Sequence, residues 1–201
     1  MRKVLVVALV LGVAAVMVTG CGTKVKRTET DKVIDLSGRW NDTDSRLVSE
    51  EMIKDCMGRP WINKFNEKQP RQPVMIVGTV SNRSSEHINT QLFTKDLEKS
   101  MINSNFVKVV ASKSEREEIR DERGSQQDGF TAKETVKPIS RETGADFMLQ
   151  GSVNSIKDEV KGKYAILYQI NLELIDLTTN EKVWIGEKEI KKYVTKSAFS
   201  L

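Results

Sequence analysis

From Tyr164 to Leu174 every second residue is large and apolar or aromatic: Tyr164, Ile166, Tyr168, Ile170, Leu172 and Leu174 share one parity. A period of two is that of a β-strand with one buried face. Phe147, Leu149 and Val153 repeat the parity before it, and Val183 to Ile190 closes the series, with Lys161-Gly162 and Thr178-Thr179-Asn180-Glu181 as turns. The C-terminal third is therefore expected to be a three-stranded antiparallel meander with one face covered by helices.

Upstream the period lengthens. Asp42 or Thr43 is expected to cap a helix with the stripe Leu47, Val48, Met52, Ile53, Cys56 and Met57, stopped by Gly58 and Pro60. Pro60 to Pro73 reads as a connecting loop pinned by Trp61 and Phe65. The apolar run Val74 to Val80 predicts a buried strand, and Ser81 to Ser85 a polar turn. Ile88, Leu92, Phe93, Leu97 and Met101 then recur at helical spacing before a second strand, Phe106 to Ala111, which completes a βαβ unit. Ser114 with Glu117, and Thr131 with Glu134, match the capping-box pattern, so two helices are expected in the next crossover, the second carrying Pro138 and closing at Gly144. The predicted order is α, β, α, β, α, α, β, β, β: an α/β fold with one mixed sheet and helices packed on it.

The first twenty residues stand apart from this fold. Behind Arg2 and Lys3, Val4 to Val18 carries no charge; fifteen residues of helix span only about 22 Å, short of a hydrocarbon core. Residues 1–20 read as a signal peptide. Residues 21–35, rich in Lys, Arg, Glu and Thr, read as a tether too polar to order itself, roughly 50 Å long if extended and about 20 Å as a coil. Residues 36–73 are then an N-terminal helix and loop extension, 74–193 the main domain and 194–201 a tail.

Composition removes most chemistry. Without Arg2 and Lys3, 30 basic residues face 28 acidic ones, which leaves no basic footprint for nucleic acid. Two cysteines and one histidine cannot build a four-ligand thiolate metal site and exclude most triad and zinc-hydrolase chemistry. No strand leads into a glycine-rich phosphate loop. An enzyme is not expected, nor a cofactor or a metal.

Four features of the sequence bear on function. Cys56 lies on the buried stripe, where a small core residue is a better reading than a nucleophile. His87 heads a helix without the partners that catalysis needs, so a capping or surface histidine, or a partner contact, remains. In the run Glu115 to Arg123, Arg116 with Arg120, Glu117 with Asp121 and Glu118 with Glu122 are like-charged at i,i+4; this is either a solvated face or a docking face centred on Arg116 and Arg120. Asn82 and Arg83 sit in the turn after a buried strand, with Arg83 as a fork for a partner carboxylate and Asn82 and His87 beside it; a self-bonded turn is the alternative.

Two resemblances add to this. Val18-Thr19-Gly20-Cys21 resembles the lipobox of bacterial lipoproteins, which implies acylation of Cys21, and Gly22 after it favours the outer membrane. Val77 to Ser84, Phe106 to Ser112, Gly144 to Gly151 and Asn180 to Gly186 with Val183-Trp184 resemble the LpoB family of penicillin-binding-protein activators. That resemblance covers roughly residues 74 to 190. It implies a periplasm-facing outer-membrane lipoprotein whose domain, similar to the N-terminal domain of TolB, binds and stimulates a bifunctional, class A penicillin-binding protein. The tether is shorter than the family pattern, and residues 36–65, including Leu36-Ser37-Gly38-Arg39-Trp40, read as an added segment. The alternative is an envelope-assembly or structural lipoprotein that docks other outer-membrane components.

Overall fold

The computed structural model describes residues 25–195; the leader, Cys21 and residues 196–201 lie outside them. Two units are distinguished, Met1–Lys32 and Val33–Leu201. In the first, residues 25–32 are exposed, with one turn in which Lys32 N donates to the Glu29 carbonyl.

In the second unit the described residues form α1 (Asp42–Met57), α2 (Trp61–Lys68), β1 (Val74–Asn82), α3 (Thr90–Ser104), β2 (Lys108–Val109), α4 (Lys113–Ser125), β3 (Phe147–Val160), β4 (Lys163–Asp176) and β5 (Lys182–Thr195). The sheet order is β2-β1-β3-β4-β5. β1 runs parallel to both β2 and β3, and β3, β4 and β5 form the antiparallel meander. The expected mixed α/β architecture is what the chain adopts.

The β4 alternation buries Tyr164, Ile166, Tyr168, Ile170, Leu172 and Leu174. They share one core with Val48, Met52, Ile53 and Cys56 of α1, Trp61 and Ile62 of α2, and Phe93, Leu97 and Met101 of α3. Residues 42–68 thus pack into the same core as the strands. Small polar residues bring α1 close to α3: Ser45 and Ser49 are buried, and Ser45 Oγ donates to Asp96 Oδ2 at 2.7 Å. The buried stripe therefore runs through Ser45, Val48, Ser49 and Met52, and Leu47 turns outward, as does Leu92 on α3.

Several local expectations are corrected. α1 is capped by Asn41, whose side chain accepts from Asp44 N while Asp44 accepts from Asn41 N. Pro60 opens α2 rather than a loop, since proline is tolerated where a helix begins. Trp61 then stacks edge-on against Phe147 at 4.9 Å and donates its indole N–H to the Cys56 carbonyl at 2.8 Å. The strand expected over Phe106 to Ala111 shrinks to Lys108–Val109 and Phe106 is exposed. α4 is capped by Ser112 with Glu115, not Ser114 with Glu117. Residues 131–146 form no helix: Phe130 and Ile139 are exposed, so the capping pattern there had no apolar stripe to bury.

Cys56 is fully buried, and desolvation pushes its thiol up to about 12. The folded state thus holds its proton above the unfolded thiol value of about 8.5. Stability is present below that value and falls as pH rises through the folded one. Native protein at pH 8 should react with a maleimide at least about a hundredfold more slowly than urea-unfolded protein; rapid native modification, read by mass, would remove Cys56 from the core.

Candidate functional site

The turn after β1 is built from its own side chains. Asn82 Oδ1 accepts from Ser84 N at 2.9 Å and Ser84 Oγ at 2.7 Å, and Asn82 Nδ2 donates to the Glu86 carbonyl at 2.7 Å. Ser84 Oγ also takes the Glu86 N–H at 3.2 Å. Arg83 N donates to the Val153 carbonyl at 2.8 Å, and Ser85 N to Ser155 Oγ, so the turn is fastened to β3. Both ends of the Asn82 amide are thereby occupied inside the turn, and Asn82 serves as its brace.

That bracing splits the three expected neighbours. The exposed Arg83 lines a hollow of about 260 Å³ on the sheet face opposite the core shared with α1 and α3, beside Thr79, Ser81, Gln150 and Asn171. His87 instead lines a cleft of about 710 Å³ with Arg39, Trp40, Lys157 and Tyr164. The structure therefore keeps Arg83 and His87 in different hollows, with Asn82 holding the turn between them.

Beneath the turn lies a polar link that sequence reasoning missed. Glu86 Oε2 accepts from the Tyr168 hydroxyl at 2.6 Å and from Trp40 N at 3.3 Å. Burial, then the Glu86 hydrogen bond, raises the Tyr168 pKa. The Trp40 ring meets Tyr168 at 5.6 Å and Phe93 at 5.9 Å, both edge-on. The N-terminal segment, the turn and the middle of β4 are thus tied to one another through Glu86 and Trp40. One signal was available: a tyrosine in a buried alternating run needs an acceptor for its hydroxyl.

Arg116 and Arg120 belong to another place. Arg120 clamps Glu142 through two bonds, Nε to Oε1 at 2.8 Å and Nη2 to Oε2 at 2.7 Å. Arg116 and Arg123 approach the same carboxylate at 3.9 Å. Glu142 is held below the usual carboxylate range, first by its hydrogen bond from Arg120. The arginine row on α4 therefore gathers within the chain around a single carboxylate, that of a glutamate twenty-two residues beyond Arg120, which offsets part of its charge. At the head of α4, Lys95 bridges Glu98 and Glu115, and this, with the Ser112 cap, holds Glu115 down to about 2.

Among the described residues no group of three or more His, Cys, Asp or Glu side chains could hold a metal ion, and no helix is long and apolar enough to cross a membrane. Among the described residues no side chain hydrogen-bonds His87, although Glu86 lines the same cleft, and the braced turn presents the Arg83 guanidinium without a partner.

Known proteins were compared with this chain. The LpoB C-terminal domain from Salmonella enterica matches at 18% identity over 65% of this chain and 93% of that one, with a TM-score of 0.34. The NMR structure of E. coli LpoB matches at 15% identity over 88% and 84%, with a TM-score of 0.39. The PelC dodecamer from Paraburkholderia phytofirmans matches at 14% identity over 61% and 74%, with a TM-score of 0.36. At such scores these likenesses carry no argument about function. A search of curated proteins found no match. The sequence model of the peptidoglycan-synthase activator LpoB matches residues 44–190, and so takes in most of α1 and all of α2, where the added segment was expected. With that match over most of its length, and with α1, α2 and the sheet in one core, the chain belongs to the LpoB family of peptidoglycan-synthase activators.

Proposed function

We propose that this protein is a lipoprotein of the outer membrane, acylated at Cys21 and facing the periplasm, that binds a class A penicillin-binding protein and activates it without catalysing a reaction itself. The observation that carries the reading is the family match from residue 44 to residue 190. Activation requires that the protein bind the active conformation of the synthase more tightly than the inactive one. The turn Asn82 to His87 supplies a rigid contact: its backbone is fixed to β3, so little order remains to be imposed on binding. Arg83 is the anchor, because its guanidinium, unlike that of Arg120, has no partner among the described residues and suits a carboxylate bidentately.

The test is capture from solubilised membranes with fluorescent penicillin as the label, followed by glycan-polymerisation assays on the captured synthase. A labelled synthase whose rate rises with added protein is the expected result. Capture of outer-membrane or secretion components alone would favour the envelope-assembly reading. Arg83→Ala should weaken synthase binding about thirtyfold, or about 2 kcal/mol, with the melting temperature unchanged. Unchanged affinity would leave the residue a solvated part of the turn.

A further inference from the structure

The β3–β4 hairpin runs well past the turn that carries Arg83. β1 ends at Asn82, opposite Val153, and β3 continues seven residues to Val160, roughly 23 Å of strand. On the core side this overhang is covered by the incoming chain. Lys192 Nζ holds Asp35 at 2.8 Å, the Tyr164 hydroxyl donates to the Ser37 carbonyl, and Gly38 lies against Val194. On the other side nothing described covers it. Cross-strand register places Ile156 beside Leu167, Ala165 beside Tyr193 and Val160 beside Lys163. Ile156 is 72% exposed, Tyr193 67% and Val160 66%. Lys161, Lys163 and Lys191 rim this apolar row, all exposed, and Asp158 is the acid set among them.

We propose that this hairpin tip is a membrane-docking surface, which lays Ile156, Val160 and Tyr193 into the headgroup layer of an anionic phospholipid bilayer while Lys161, Lys163 and Lys191 pair with lipid phosphates. Three observations select this occupant. An apolar row with a tyrosine, rimmed by lysines, matches the layered chemistry of a bilayer surface. The three lysines are complementary to anionic headgroups, each contributing about fivefold to binding. The chain leading to Cys21 leaves the second unit beside this tip, and the twelve Cα steps from Cys21 to Val33 span no more than about 42 Å. That third point rests on the lipid-anchor reading; the first two do not. A docked tip keeps Arg83 clear of the bilayer by the length of the overhang.

The experiment uses the intact mature lipoprotein carrying one environment-sensitive dye at Val160→Cys or, as a reference at the opposite end of the meander, at Thr178→Cys; buried Cys56 is not labelled. Vesicles of phosphatidylethanolamine and phosphatidylglycerol containing a headgroup-depth quencher are compared with vesicles of phosphatidylcholine, and flotation is read in parallel. The expected result is quenching at residue 160 at least about twofold stronger than at residue 178, on anionic vesicles only. The Lys161→Gln, Lys163→Gln, Lys191→Gln triple variant should lower the docked-to-undocked ratio roughly a hundredfold. Flotation on both vesicles with equal quenching at the two sites overturns docking and leaves the anchor standing. Flotation and quenching on anionic vesicles alone supports docking and removes the anchor. No flotation on either overturns both, and a dye response to purified peptidoglycan but not to vesicles overturns the lipid assignment.

Discussion

Gly151→Val is expected to lower the unfolding free energy by about 3 kcal/mol, a large share of what a domain of this size has to lose. A Cβ at this position would lie 2.1 Å from the Asn171 carbonyl oxygen and 2.7 Å from Leu172 Cδ2. The nearest atom is backbone of the neighbouring strand, so no rotamer change relieves the clash and β3 must move from β4. The site is doubly constrained. Leu172 pairs with Gly151 on one side and with Gly186 on the other, and the Trp184 ring lies across Gly186, 2.1 Å from where its Cβ would be. That indole is held from the far end, where Nε1 donates to Asp55 Oδ2 of α1 at 2.8 Å. The two glycines thus clear the floor on which Leu172 and Trp184 meet α1. Gly144→Ala, with nothing within 4 Å of its Cβ, is the control and should change stability by no more than about 0.5 kcal/mol. Urea midpoints of both variants decide; a loss below about 1 kcal/mol at residue 151 would mean that β3 and β4 slide at low cost.

The sequence displayed the meander because its signal is local and redundant. Six same-parity residues in β4 leave no competing period, and two short polar turns fix the neighbours. It misread elements whose signal is not local. Thr131 and Glu134 satisfy a capping pattern, but a cap terminates a helix that packing must already favour, and residues 131–146 bury no apolar face. Two Ser-x-x-Glu patterns overlap at the start of α4; Glu115 is the one used, and Lys95 from α3 also grips it, a contact twenty residues distant. The length of β2 was overestimated for a related reason: Phe106 looked like a strand residue, yet with β2 at the edge it has no second layer to enter.

The candidate site divides in the same way. The turn at Asn82 and Ser84 was legible from residue type, because short side chains that bond their own backbone are a local device. The separation of Arg83 from His87 was not, since it depends on which side of β3 the turn is fastened. The α4 arginines show the converse. Their mutual repulsion was legible, but the compensating Glu142 lies in an irregular segment that no periodicity marks. β5 held a clue of a different kind: Lys188 and Lys192 fall on the parity of Trp184, Ile190 and Val194, which faces the core. A lysine at a core-facing position predicts a carboxylate opposite it. Glu51 and Asp44, both on α1, are those carboxylates, so β5 itself records that α1 must cross it.

Lys192→Met should therefore be nearly as damaging as the glycine substitution, and for an electrostatic reason. Lys192 Nζ donates to Asp44 Oδ2 at 2.6 Å and to the Arg39 carbonyl at 3.0 Å, and lies 2.8 Å from Asp35 Oδ2; the side chains of Lys192 and Asp44 are each only 10% exposed. Removing the cation leaves the Asp44 carboxylate buried with only the Asn41 N–H and no opposing charge, a loss of about 3 kcal/mol. Asp44→Asn in the same chain should recover part of it, and a double-mutant cycle measures the coupling. The pH profile separates this from lost packing. Burial pulls the lysine pKa down, but its hydrogen bonds to Asp35 and Asp44 outweigh that, and the net direction is upward. Its contribution is present below the unfolded lysine value of about 10.4 and is lost as pH rises through the folded one. The lysine hydrogen bond also holds Asp35 below the ordinary range, so that contribution is present above an unfolded value of about 3.9 and is lost as pH falls through the folded one. Stability of the native chain should thus decline on both the acid and the alkaline side, and the Lys192→Met profile should be flatter on both; a variant that loses stability equally at every pH would show that the lysine stem, not its charge, holds the N-terminal segment down.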